Sequence, residues 1–289
     1  MKFLINLFKL TRPLSNVKNI AIVVLAFYFS KKGFDLWLFS GSLISLSLVC
    51  SAFYAYNTLS DFDLDKDNKN KKHYLEAVNY FGKNKSFIIF ITLLIAGLFI
   101  GYFINLYFFI FLLLLALTDF SYSFKYTRFK EKFILDILFG ASFTFLFRFL
   151  AFWFVFSSAF PPLLVVAGLV FAKSGGYFLY KSLDYQYLLK ENIKNSITIL
   201  NQKTKIIVSI LFWVIALISF IFLCFNSYFK IGLIGELPFK FLFLGLLAVP
   251  PLAVIYLSVF GKIKIKIKNL RTAGYIYWAA VLATTLTFI

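Results

Sequence analysis

Apolar residues fill this chain in long blocks separated by short charged stretches, and block length predicts the elements. The blocks lie near 19–33, 35–57, 86–104, 106–122, 133–156, 162–180, 206–226, 239–258 and 272–289. About 20 apolar residues cross a bilayer as a helix, so nine transmembrane helices are expected. The first block is short and runs into Lys31-Lys32. If it inserts only partly, the count falls to eight. Residues 1–289 are thus expected to form a single polytopic membrane domain of the all-α class. Nothing between the blocks is large enough to build a soluble core of its own. Composition agrees: 61% of the residues are hydrophobic and 15% charged, against about 25% charged in soluble domains.

Charge placement orients the blocks. The stretches 1–18, 58–85, 119–132, 181–205 and 259–271 carry 24 of the 30 Lys and Arg residues, while the opposite side holds only Lys31, Lys32, Lys230 and Lys240. Cytoplasmic loops collect Lys and Arg. The N-terminus is therefore expected in the cytoplasm and the C-terminus outside, in the cytoplasmic (inner) membrane. Ten of the 12 acidic residues lie on the basic side or at its border, Asp35 and Glu236 being the exceptions. Topology does not demand that, so a polar site at the cytoplasmic border is expected. The net charge of +18 then reads as topology plus affinity for anionic lipid or phosphorylated substrates. Nucleic acid is not an expected partner, because the cations are spread over five loops. Residues 1–18 alternate Phe3, Leu4, Leu7 and Phe8 with Lys2 and Lys9, which predicts an amphipathic helix lying on the membrane surface. The lone histidine, His73, sits in a lysine-rich loop, and Cys50 and Cys224 lie in separate apolar blocks. Neither pattern supports histidine- or cysteine-centred chemistry.

The candidate chemistry begins where the second block runs out. Asn57, Asp61 and Asp65 follow i, i+4, i+8, one face of a continuing helix. One amide and two carboxylates at a membrane border suit Mg2+ that also holds substrate phosphates; the same residues could simply solvate a helix end. On that face Asp63 points away. Two cations lie within apolar blocks. Arg148 is about 22 Å along the fifth from Phe133 at ~1.5 Å per residue, and Lys173 is near the middle of the sixth. Neither shows an obvious acidic partner at its own depth, which points to a cavity that admits an anion. In the sixth block Lys173, Tyr177, Lys181 and Asp184 form one stripe, and Ser174-Gly175-Gly176 permits a close approach. The run Lys262–Lys268 alternates Lys with Ile and reads as a headgroup contact.

These pieces resemble the UbiA superfamily of intramembrane prenyltransferases. Its first motif, NDxxDxxxD, is matched by Asn57, Asp61 and Asp65, with Thr58 in place of the first Asp and Asp63 and Asp67 as additional acids. Its second is matched only by Asp184 and Glu191. Within the superfamily the chain most resembles the polyprenyl-phosphate phosphoribosyltransferases (decaprenylphosphoryl-ribose phosphate synthases). Arg12-Pro13 and Lys18-Asn19 resemble RPxQWxKN with Ser15 and Asn16 departing; Phe129-Lys130 through Leu135-Asp136 resembles LKxxxxLD; Phe147–Ala151 resembles LLRAxA and contains Arg148.

The resemblance implies nine helices around a central, cytoplasm-facing cavity. It implies Mg2+ held by Asn57, Asp61 and Asp65, with Asp184 a second-site ligand, and phosphate oxygens gripped by Lys18, Lys72, Lys130 and Lys181. The reaction implied is transfer of a phosphoribosyl group from 5-phosphoribosyl diphosphate, a phosphorylated sugar donor, to a polyprenyl phosphate in the lipid bilayer, with Asp61, Asp65 and Arg148 catalytic. The alternative enzyme uses the same metal site to move an isoprenoid chain from its diphosphate to an aromatic or other small acceptor. An anion or lipid transporter is the alternative from another class.

Overall fold

The computed structural model describes residues 1–30, 35–68, 71–182 and 185–229, and every regular element among them is helical. The blocks expected at 239–258 and 272–289, the Lys262–Lys268 strip and Asp184 lie outside the described residues. Among the described residues five helices are long and apolar enough to cross a membrane, and Leu163–Phe178 is a shorter apolar one. The chain forms two compact units: Met1–Lys130 with Phe147–Ser158, and Glu131–Leu146 with the chain from Ala159 onward.

The first unit opens with α1 (Lys2–Thr11), a helix of strong amphipathic character that exposes Phe3, Leu4, Ile5 and Phe8 and buries Leu10. Arg12 closes it in a left-handed conformation, φ 48°. A short turn over Pro13–Asn16 leads into α2 (Val17–Ser30). Next come α3 (Leu36–Ser60), α4 (Lys72–Phe81), α5 (Lys83–Ile104) and α6 (Leu106–Ser123). The breaks are chemically marked. Asp35 caps α3, accepting from the N–H groups of Trp37 and Leu38 at 2.9 and 3.0 Å. Asn105 separates α5 from α6 and caps the latter through Tyr107 and Phe108. Such caps take up donors that a bilayer cannot satisfy.

α3 packs most extensively on α5. Gly97 makes this possible: a Cβ there would meet Val49 Cγ2 at 2.8 Å and the Ser45 carbonyl at 2.9 Å. The Ser45 hydroxyl donates to the Gly97 carbonyl at 2.7 Å. On its other side α5 exposes Ile88, Ile95, Phe99, Tyr102 and Phe103. A water-soluble protein rarely exposes such a surface, whereas a membrane helix requires it. The protein is an integral membrane protein.

In the second unit Leu135–Ile137 (α7) runs through a π-helical turn, Leu138–Ser142, into α8 (Phe143–Phe156), whose residues from Phe147 on belong to the first unit. Then follow α9 (Leu163–Ser182), α10 (Tyr185–Lys190), α11 (Ser196–Ile199) and α12 (Gln202–Phe229). The glycine pair does not interrupt α9. It admits α12 instead: a Cβ on Gly175 would stand 2.7 Å from the Trp213 ring, and the Ser209 hydroxyl donates to the Gly175 carbonyl at 3.1 Å. Asp136 is wholly buried and accepts from Ser196 at 2.6 Å, while the Ser196 hydroxyl accepts from the Ile134 N–H at 2.8 Å.

Candidate functional site

The end of α3 builds the site. The helix stops at Ser60, earlier than a continuing helix through Asp65 requires. The i, i+4 spacing nevertheless survives in the backbone. The Asp61 N–H donates to the Asn57 carbonyl at 3.1 Å, and the Asp65 N–H to the Asp61 carbonyl at 2.8 Å. A 3-10 turn over Leu64–Asp67 continues from there. Asp61 and Asp65 are consequently buried, at 6% and 5% exposure. Asp63 turns outward, where Lys66 and Lys83 hold its carboxyl below the usual range.

Cations surround the two buried carboxylates. Lys130 and Arg128 both reach Oδ1 of Asp61, the arginine at 3.3 Å. Lys71 Nζ spans both oxygens of Asp65 at 2.9 and 2.7 Å. Burial pushes the Lys130 ammonium down, against the pull of Asp61. Asn57 Oδ1 accepts from the Ser123 hydroxyl at 3.1 Å, tying α3 to α6. Arg128 has φ 38° and Arg12 φ 48°. Backbone of positive φ at a non-glycine residue costs ~1 kcal/mol or more; of the four described non-glycine residues that bear it, Arg12 and Arg128 are the two beside the site, Ile134 and Asn192 lying elsewhere. Arg12 Nη2 donates to the Thr58 hydroxyl at 2.7 Å, and its guanidinium lies 3.6 Å from the centre of the Tyr74 ring.

Arg148 departs from expectation. It does have an acidic neighbour: its Nη2 lies 3.9 Å from Asp119 Oδ2, and the arginine is 6% exposed. The sequence counted Asp119 both in the block 106–122 and in the cytoplasmic stretch 119–132, and α6 runs on to Ser123. That puts Asp119 one turn inside the helix. Lys18 lies near the start of α2, with Nζ 5.5 Å from the centre of the Tyr54 ring. Lys72 opens α4 and is exposed; its neighbour Lys71 is the residue turned toward Asp65. Lys181 belongs to the second unit, with Nζ 5.9 Å from the Tyr177 ring centre.

Sequence reasoning passed over Lys71, Arg128, Asp119 and Ser123. For Arg128 the signal was its place in a loop of cations and hydroxyls; Lys71 was one lysine among several. Among the described residues no three His, Cys, Asp or Glu side chains converge. The oxygen donors on hand are the Asn57 amide and two carboxylates. That set suits a hard cation which takes its remaining oxygens from phosphate and water, and not a closed protein cage. The ring of Lys and Arg suits the same phosphates.

The family model for the UbiA prenyltransferases matches residues 19–264, most of the chain and all of this constellation except Arg12 and Lys18. The chain belongs to the UbiA prenyltransferase family. It is accordingly an enzyme of the transferase class, and the transporter alternative gives way. No curated protein sequence matches it. Among solved structures, a UbiA homologue from Archaeoglobus fulgidus bound to GPP and Mg2+ is similar, at 17% identity, 98% coverage of both chains and TM-score 0.76. A study of digeranylgeranylglyceryl phosphate synthase gives a similar structure at 18% identity, 99% and 100% coverage and TM-score 0.70. The apo UbiA homologue from Aeropyrum pernix K1 follows at 16% identity, 94% and 98% coverage and TM-score 0.68. These likenesses establish the UbiA fold.

Proposed function

We propose that the protein is a Mg2+-dependent transferase at the cytoplasmic face of the inner membrane, moving a phosphoribosyl group from 5-phosphoribosyl diphosphate to a polyprenyl phosphate. In this reading nine helices enclose a cavity open to the cytoplasm, with the N-terminus inside and the C-terminus outside. One observation carries the site: two buried carboxylates, chained to Asn57 through the backbone, are ringed by Lys71, Arg128 and Lys130. Solvated helix-end acids have no need of burial or of three cations.

Asn57, Asp61 and Asp65 would hold Mg2+. The ion offsets the negative charge that develops on a departing diphosphate. Lys71, Arg128 and Lys130 would pass from the carboxylates to diphosphate oxygens as the donor enters, with Lys72 supporting the donor's remaining groups. An oxygen of the ionised lipid phosphate attacks C1 of the ribose. The C1–O bond to diphosphate breaks, and pyrophosphate leaves with the electron pair. An ionised phosphate needs no general base, and the described site presents no histidine. The resemblance of Arg12-Pro13, Lys18-Asn19 and Phe147–Ala151 to the phosphoribosyltransferase branch supports this donor.

The second reading keeps the same carboxylates and moves an isoprenoid chain from its diphosphate to a small acceptor. It is favoured by the GPP- and Mg2+-bound homologue. The deciding assay uses purified protein, Mg2+ and polyprenyl phosphate with radiolabelled 5-phosphoribosyl diphosphate. Label entering the organic phase, and its loss with EDTA, is the expected result. Absence of that transfer, with geranyl diphosphate consumed against an aromatic acceptor, would replace the first reading by the second.

A further inference from the structure

We propose that the outer apolar face of α1 docks on the bilayer interface, and that this contact positions Lys71 at the candidate site through Arg12 and Tyr74. The positioning rests on the reading of Asp61 and Asp65 as a metal–diphosphate site; the docking does not.

α1 carries apolar residues on two sides. Toward the protein, Leu10 is buried, and Phe3 meets Phe81 of α4 edge to face with ring centres 5.5 Å apart. Lys9 pins the same two helices through Glu76 at 2.9 Å. On the other side Leu4, Ile5 and Phe8 are 58%, 45% and 61% exposed. Their spacing of one turn puts them on one stripe, where a helix facing water carries polar residues. Position names the partner of that stripe. α4 packs on α1 and on α5. Phe81 adjoins the exposed Tyr80 ring, 5.0 Å between centres, and α5 then opens with Phe87 and Ile88 on the side it turns to lipid. The stripe of α1 continues that lipid-facing surface. Ten residues are about 15 Å of helix, too short to span a bilayer but suited to lie in its interface.

A continuous path leads inward from α1. Arg12 follows the helix directly, in left-handed backbone. Its guanidinium lies 3.6 Å from the Tyr74 ring centre and donates to the Thr58 hydroxyl at 2.7 Å. The Tyr74 N–H donates to the Lys71 carbonyl at 2.9 Å, so the stacked ring belongs to the turn that Lys71 opens. Lys71 in turn holds both oxygens of Asp65. Seating α1 on the bilayer fixes the end that bears Arg12. Arg12 fixes the first turn of α4, and that turn aims Lys71. Leu4 and Phe8 act through these residues and are positioning residues.

The test uses the full chain in phosphatidylcholine nanodiscs and has two arms. In the first, Cys50 and Cys224 are replaced by Ala and a nitroxide is attached at Leu4→Cys or Phe8→Cys, with Lys66→Cys in the exposed charged loop as control. Labels at 4 and 8 relax more with oxygen than with a water-soluble nickel chelate, and the label at 66 does the reverse. Nickel access at 4 and 8 puts the stripe in water and overturns the docking. Access by neither reagent means that protein covers it, a second copy or residues 230–289, and overturns the docking equally.

The second arm reads Mg2+-dependent binding of inorganic pyrophosphate, the leaving group in both readings of the reaction. Leu4→Gln with Phe8→Gln weakens it about fivefold or more, leaves the melting temperature unchanged, and adds no further loss to Lys71→Met. Unchanged pyrophosphate binding overturns the positioning role. So does a loss that accompanies a fall in melting temperature and is as large in the Lys71→Met background, since it marks a merely structural helix. Wild type that binds no pyrophosphate with Mg2+ overturns the metal–diphosphate reading and the coupling with it, while the spin labels still decide the bilayer contact.

Discussion

Lys71 holds both oxygens of the Asp65 carboxylate, at 2.7 and 2.9 Å, while Lys72 beside it faces solvent. The two lysines differ only in their place at the start of α4, and that place gives one of them a partner in the site. Lys71→Met is therefore expected to lower turnover about tenfold or more by removing a charge-assisted contact to carboxylate or phosphate. Lys72→Met should lower it far less. Equal losses in steady-state assays would show that the pairing with Asp65 does not matter.

The carboxylates divide the same way. Asp61→Ala or Asp65→Ala should reduce turnover about 10²-fold or more, with folded protein retained in detergent. Asp63→Ala should leave it nearly intact, since Asp63 is exposed and pairs with Lys66 and Lys83. Size-exclusion profiles alongside rates would check this; full activity of Asp61→Ala and Asp65→Ala would remove both from the site.

Much of this was legible from block lengths and one spacing. The described spans fall within a few residues of the apolar blocks, because a bilayer fixes helix length and leaves loops no place to hide. The i+4 spacing of Asn57, Asp61 and Asp65 survived although the helix did not, because a turn preserved the same backbone hydrogen bonds. Asp119 was illegible for the opposite reason. It was counted with the charged stretch 119–132 although the block 106–122 also contains it, and only the packing of α6 puts it beside Arg148. Arg128 and Arg12 reach the site through left-handed backbone, which no residue pattern around an arginine announces.

Lys130 supplies a pH prediction. Burial lowers its pKa from the ordinary lysine value, so it loses its proton at lower pH than a solvated lysine. As pH rises the ammonium against Asp61 is neutralised, and activity that depends on it falls. Lys130→Arg keeps the charge through this range. The alkaline limb of its pH–rate profile should move to higher pH, even if the maximal rate drops. Superimposable alkaline limbs would mean that another group titrates.

Thr58 tests the arginine clamp. Its hydroxyl accepts from Arg12 at 2.7 Å and is buried. A hydrogen bond to a charged donor contributes about 1.5–3 kcal/mol, so Thr58→Val should lower the melting temperature and loosen α1 against α3. Arg12→Lys keeps charge but loses the planar stack on Tyr74, and should fall in the same direction. An unchanged melting temperature in both variants would show that the clamp adds nothing to stability.

Gly175 tests the packing of α9 on α12. A Cβ there would stand 2.7 Å from Trp213 and 3.2 Å from the Ser209 carbonyl, which belongs to the backbone and cannot swing aside. Gly175→Ala must therefore push the helices apart or displace the indole, at a cost of about 1–3 kcal/mol. At Gly176 the nearest atom to a Cβ is 4.0 Å away, so Gly176→Ala fits without movement and gains helix propensity. The informative comparison is the pair: the melting temperature should fall for Gly175→Ala and hold or rise for Gly176→Ala. Restoring room with Trp213→Phe should recover part of the Gly175→Ala loss, because the smaller ring gives way where the backbone cannot. A uniform fall for both glycine variants would mean that the pair serves helix flexibility, not close approach.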